Sequence, residues 1–229
     1  MLIIGTVIGS GFASGKEIAV FFSRFGWLSY IFIPFSFLLF FGVFYWILSH
    51  GKSGIEKISS SNFYLILYVI VSLVFTSSMF AGTKTTIMTH NTFIDVFLIL
   101  SLILGCVFVA KKGLKVLTNI NSYLIPFTIL ILILCLVKNK GEITAFQNGS
   151  FFSGFLFSIL YVVMNVSTSS LLMGQIGKSM TQKSIIIVSL VSAFILALLL
   201  FLINFTILSN PHSLDYSMPL LDMSGGYVY

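Results

Sequence analysis

Two clusters in this sequence carry groups that could hold a small ligand without making or breaking a covalent bond. The first is Gly5-Thr6-Val7-Ile8-Gly9-Ser10-Gly11-Phe12-Ala13-Ser14-Gly15-Lys16-Glu17. Gly5, Gly9, Gly11 and Gly15 lie close together, and each costs about 1 kcal/mol relative to alanine in a helix. Where a helix stops inside lipid, the freed N–H and C=O groups must be satisfied by protein, water or a ligand. Amides at a half-helix N-terminus attract a carboxylate, while unwound carbonyls suit a hard cation. Ser14 and Glu17 stand in the S-x-x-E relation of a capping box ahead of Ile18-Ala19-Val20-Phe21-Phe22, which predicts a second half-helix starting at Gly15. The second cluster, Asn165-Val166-Ser167-Thr168-Ser169-Ser170, is a polar run between apolar stretches.

The elements that must position these groups are membrane helices. With 58% hydrophobic and 8% charged residues and a mean hydropathy of +1.09, the 229-residue chain cannot cover itself with a polar surface. The apolar runs are too long for barrel strands and lack period-2 alternation, which points to an inner or plasma membrane rather than an outer one. The net charge of +6 comes from lysines between apolar runs, where they orient helices; no nucleic-acid partner is read from it. Cys106 and Cys135 lie in apolar runs without His or Cys neighbours, so neither a disulfide framework nor a zinc site is supported. A signal peptide fits badly, because no basic region precedes Leu2 and glycines cut the apolar start.

The interrupted segment comes first, its two halves rising about 13 Å and about 16 Å, so the gap falls near the middle of a hydrocarbon layer about 30 Å thick. Full spans are expected at Trp27 to Leu48, Phe63 to Phe80, Phe93 to Ala110, Asn119 to Val137 with a kink at Pro126, Phe151 to Gly174, and Ser184 to Leu208. His50 to Asn62, with two glycines and a serine run, reads as a polar loop. An N-terminus inside places Lys52, Lys57, Lys111, Lys112, Lys115, Lys178 and Lys183 in the cytoplasm, against Arg24, Lys84, Lys138 and Lys140 outside. Met1 begins inside a membrane segment and Tyr229 ends an apolar stretch, so the sequence predicts a chain truncated at both ends.

Plainer readings compete with each motif. Gly5-x-x-x-Gly9 and Gly11-x-x-x-Gly15 match a helix-packing pattern, which explains the glycines and leaves the capping box unexplained. The G-x-G and Gly15-Lys16 spacings fail as dinucleotide and phosphate-loop motifs. Glu17 is a cap first and a proton carrier second; Lys16 could snorkel or pair elsewhere. The Asn165 to Ser170 run could be interhelical glue, yet it falls mid-span, as the glycine break does, and five spans separate the two. Thr76-Ser77-Ser78 could complete a polar pocket or bond back to their own helix. Asn204 is the weakest of these polar signals.

The opening Gly5 to Ile18, followed by Phe21-Phe22, resembles the YkvI-type bacterial membrane proteins, a branch of the amino acid, polyamine and organocation superfamily with the leucine-transporter fold. The likeness covers residues 1 to 26, and Tyr161 and Asn165 agree more loosely. It implies an all-α polytopic protein of two five-helix inverted repeats, here 1–137 as one repeat and 151–229 as an incomplete second. By the same resemblance the backbone around Thr6, Gly9, Ser10 and Gly11 would hold the substrate, with Asn165, Ser167 and Thr168 as its counterpart. The carbonyls of Gly5 and Ile8 would face a coupling sodium; on the expected truncation, the helix that would complete that site would be missing beyond Tyr229.

The expected function is secondary transport of a small solute, an amino acid or related zwitterion, in a bacterial plasma membrane. Sodium or a proton is the expected coupling ion, and no other cofactor is implied. The alternative is a non-transporting sensor or accessory protein, or a fragment that kept the fold. An enzyme is the poorest reading, since the spans carry no nucleophile–base pair or metal cluster.

Overall fold

The computed structural model describes residues 2–8, 12, 14–87, 92–138, 149–215 and 218–220. All regular structure among them is helical. The elements are α1 (Leu2–Val7), α2 (Lys16–Phe21), a 3-10 turn (Ser23–Leu28), α3 (Ser29–Ser60), α4 (Asn62–Ile87), α5 (Thr92–Lys111), α6 (Leu114–Lys138), α7 (Phe151–Gly177), α8 (Gln182–Leu208) and a 3-10 turn (Pro211–Asp215).

By length and composition, Ser23–Gly51, Phe93–Lys111 and Gln182–Leu208 can each cross a membrane, and the bent α7 makes a fourth. Asn62–Val74 and Lys115–Ile131 are shorter apolar helices among the described residues. The chain is therefore an all-helical protein with apolar helices suited to membrane insertion. The helix through Pro126 is continuous.

The expected loop at His50 to Asn62 is a correction. α3 runs through Gly51 and Gly54 to Ser60, and only Ser61 separates it from α4. Gly51 is there for contact rather than for a turn: a Cβ on it would run into the Cα of Gly174 in α7. In lipid, where apolar burial drives little association, such close backbone approach is a main source of packing energy.

α3 packs along α7 and α8, and these three helices enclose the core. Phe32, Phe40, Phe44 and Leu48 of α3 are buried there with Tyr161 and Met173 of α7 and Leu196, Leu199 and Leu200 of α8. Both long C-terminal helices start on a hydroxyl cap. Ser150 Oγ accepts the Ser153 N–H at 3.2 Å and Thr181 Oγ1 accepts the Ser184 N–H at 3.4 Å. Such caps contribute about 1 kcal/mol each. α4 and α5 turn many large apolar side chains outward, Phe63, Leu73, Phe93 and Leu104 among them, as lipid-facing helices do.

Candidate functional site

The first segment is broken. α1 ends at Val7, Ile8 is already outside the helix although its N–H still bonds the Ile4 carbonyl at 3.0 Å, Phe12 and Ser14 are helical again, and α2 begins at Lys16. Gly9, Ser10 and Gly11 lie outside the described residues. Gly15 takes φ +79°, a left-handed conformation that ends any helix arriving from the N-terminal side and that side-chain-bearing residues reach only at a cost.

This glycine shifts the expected capping box by one residue. Gly15, not Ser14, is the N-cap of α2, and Ser14 Oγ accepts the N–H of Lys16 at 3.3 Å. Glu17 is left in the first turn, with its Oε2 buried and without a hydrogen-bond partner among the described residues. A Cβ at Gly15 would also meet Leu220 Cγ at 2.9 Å. Gly15→Ala is expected to lower stability by about 1–2 kcal/mol, nearly all of it from the backbone conformation. Denaturant titration in detergent measures it, and an unchanged midpoint would show that the left-handed turn is dispensable.

α7 carries the second interruption. It bends by 62° between Phe151–Ser167 and Ser169–Gly177, inside the polar run. The hydroxyls there bond back to their own helix. Ser167 Oγ donates to the Met164 carbonyl at 2.8 Å, Ser170 Oγ to the Ser167 carbonyl at 2.8 Å, and Ser169 Oγ reaches the Asn165 and Val166 carbonyls at 3.2 Å each. Asn165 Nδ2 donates to the Tyr161 carbonyl at 2.9 Å. Clustered back-bonding of this kind competes with the helical ladder and bends helices. Thr168 sits at the bend; its side chain lies outside the described residues.

Both flanks of the first break pack against α7. α1 packs against α7 and α6, and α2 packs against α7 and α8. Thr6 Oγ1 donates back to the Ile3 carbonyl at 2.8 Å, so its hydroxyl serves the helix end. The Asn121 side chain of α6 covers Gly5 so closely that any Cβ there would collide with its amide. Asn121 lies against the end of the first half-helix and sequence reasoning passed over it, although a carboxamide in an apolar span was signal enough to mark it. Of the two readings of the third-span hydroxyls, Thr76 and Ser77 follow the one in which they bond back to their own helix. Both are exposed and bond back to Ser72 and Val74 at 2.8 Å.

Asn204 of α8, weak as a signal in sequence, is fully buried at the other end of the break. Ser23 Oγ donates to its Oδ1 at 2.8 Å, and its Nδ2 donates to Ser29 Oγ at 2.8 Å. Ser29 Oγ in turn donates to the Gly26 carbonyl at 2.6 Å. Gly26 has φ +60°, ψ −132° and kinks the 3-10 turn. Asn204 thus braces the irregular backbone joining α2 to α3, supplying partners that a kinked chain in lipid must find within the protein.

Aromatic rings fill the contact between α2 and α7. Tyr161 is wholly buried, with ring centroids of Phe21 at 5.4 Å, Phe22 at 5.1 Å and Phe40 at 6.1 Å. One helical turn away, Arg24 lies over the rings of Phe25 and Phe157 at 5.3 and 5.0 Å. Among the described residues no group of three His, Cys, Asp or Glu comes together. No family model, characterised protein or solved structure matches the chain.

Proposed function

We propose that this protein is a secondary transporter of a small solute, an amino acid or related zwitterion, working by alternating access around the paired helix breaks. The observation that carries this reading is the packing of the broken first segment against α7, whose own bend lies at the polar run. Transporters of the inverted-repeat type bind substrate where two discontinuous helices meet near the bilayer midplane. The resemblance of residues 1 to 26 to the YkvI-type proteins supports the same reading, as does the five-helix spacing between the two breaks. On it, the backbone of Thr6 to Gly11 and the region of Asn165 to Thr168 face the solute, the carbonyls of Gly5 and Ile8 serve a coupling cation, and the protein sits with its N-terminus inside a bacterial plasma membrane.

The chemistry required is recognition and release. A broken helix gives both charges of a zwitterion a place: positive dipole ends and free amides for a carboxylate, free carbonyls for a cation. Proteoliposomes holding the purified chain are expected to accumulate at least one amino acid from a mixed radiolabelled panel when a sodium or proton gradient is imposed. Flux that is absent for every member under both gradients sinks the transporter reading. Ligand-dependent thermal stabilisation without flux would leave a sensor in its place.

A further inference from the structure

Two buried oxygens at the contact between the broken segment and α7 have no hydrogen-bond partner among the described residues: Oε2 of Glu17 and the hydroxyl of Tyr161. Tyr161 is fully enclosed, and its ring packs at 5.4 Å on Phe21, which stands one turn after Glu17 on α2. Native proteins satisfy buried polar groups almost without exception, so each orphan calls for an explanation. Two at one helix contact, on elements that meet only through the fold, share one explanation if a ligand supplies donors to both.

The donor set narrows the ligand. A carboxylate only accepts hydrogen bonds, and a phenol can accept as well as donate, so the missing partner is rich in N–H or O–H. The neighbours of Tyr161 are the faces and edges of Phe21, Phe22 and Phe40, and aromatic faces attract positive charge. The same row of rings already holds one cation: Arg24 lies over Phe25 and Phe157, and Phe157 is one turn from Tyr161 on α7. A hard metal cation requires about six oxygen ligands, whereas the side chains of Glu17 and Tyr161 together carry three.

We infer that Glu17, Tyr161 and the rings of Phe21 and Phe22 recognise a primary ammonium group. The carboxylate and phenol accept two of its N–H donors, and the ring faces stabilise the charge. This rests on the transporter reading only for the statement that the ammonium belongs to the transported solute; the binding itself does not need flux. It also gives Glu17 a task beyond starting α2, a task its displaced position in the capping motif leaves it free to perform.

Isothermal titration and thermal shift on the detergent-solubilised full chain test it, with propylamine, alanine, propionate and sodium chloride as probes against a potassium chloride reference. Propylamine and alanine are expected to bind and stabilise; propionate and sodium, whose places are the free amides and the Gly5 and Ile8 carbonyls, are not expected to displace propylamine. Glu17→Gln should weaken amine binding about 30-fold or more, as removal of one member of a buried charge pair does. Tyr161→Phe should weaken it about 10-fold through loss of one hydrogen bond to a charged group. Displacement of propylamine by propionate or sodium, no binding of any amine, or unchanged amine affinity in folded Glu17→Gln overturns the inference. The probe series on the unaltered chain decides even if a variant does not fold. Amine binding lost in Glu17→Gln but accompanied by no flux in proteoliposomes overturns the transporter reading and supports the site; gradient-driven flux indifferent to Glu17→Gln does the reverse.

Discussion

Asn204→Ala is expected to destabilise the protein by about 2 kcal/mol, the sum of two lost buried hydrogen bonds and a small cavity. Interhelical hydrogen bonds in membrane bundles average only about 0.6 kcal/mol each, because alternative partners exist within the bilayer. The case here differs in geometry. Asn204, Ser23 and Ser29 are all fully enclosed, and the two serines sit on an irregular turn whose backbone has few other means of support. Ser29 keeps the Gly26 carbonyl and Ser23 keeps a longer contact of 3.4 Å to the Ile18 carbonyl, so neither hydroxyl is wholly stranded and the loss stays near the middle of the range. Asn204→Asp should be worse than alanine: a carboxylate cannot donate to Ser29, and it brings a charge into the core. Denaturant titration of the three proteins, with a Ser23→Ala/Asn204→Ala cycle, measures the coupling. A cycle energy below about 0.3 kcal/mol would mean that α8 does not brace the turn.

Why Asn204 is nearly invisible in sequence is a matter of distance along the chain. Its partners are 181 and 175 residues away, and nothing local distinguishes it from a polar residue bonding back to its own helix. The reverse holds for the break itself. Glycine density and a mid-span polar run are local signals, and the end of α1 at Val7, the left-handed turn at Gly15 and the bend in α7 lie where those signals point. Local signals fail in detail where one residue answers two demands. Ser14 reads as an N-cap until the left-handed Gly15 pushes the helix start to Lys16. The hydroxyls of Asn165 to Ser170 read as ligand groups, yet those of Ser167, Ser169 and Ser170 are used by the helix they bend. Glu17 and Tyr161 carry no joint signal at all, since they come to the same helix contact only once α2 lies on α7.

The glycines of α3 and α7 make the same point with a larger expected effect. Gly51 and Gly177 both sit where another helix's backbone passes: a Cβ at Gly51 would run into Gly174 Cα, and one at Gly177 into the Leu48 carbonyl oxygen. Backbone atoms cannot rotate aside as a side chain would, so relief requires the two helices to move apart. Overpacking in a rigid core costs about 1–3 kcal/mol per site. Gly51→Ala together with Gly177→Ala strains one contact from both sides, and the expected loss is about 3–5 kcal/mol, enough to abolish a folded state of ordinary stability at moderate denaturant. Gly42 supplies the control. It lies in the same helix, and a methyl group added there would have no described atom within 4 Å, so Gly42→Ala should be neutral or gain up to about 1 kcal/mol from helix propensity. If the paired substitution and the control behave alike in denaturant titration, α3 and α7 are not held by backbone contact. If they diverge as expected, the spacing that sets Tyr161 against Phe22 and Phe40 is fixed by glycines near the far end of the same helix pair, and amine binding should fail along with stability.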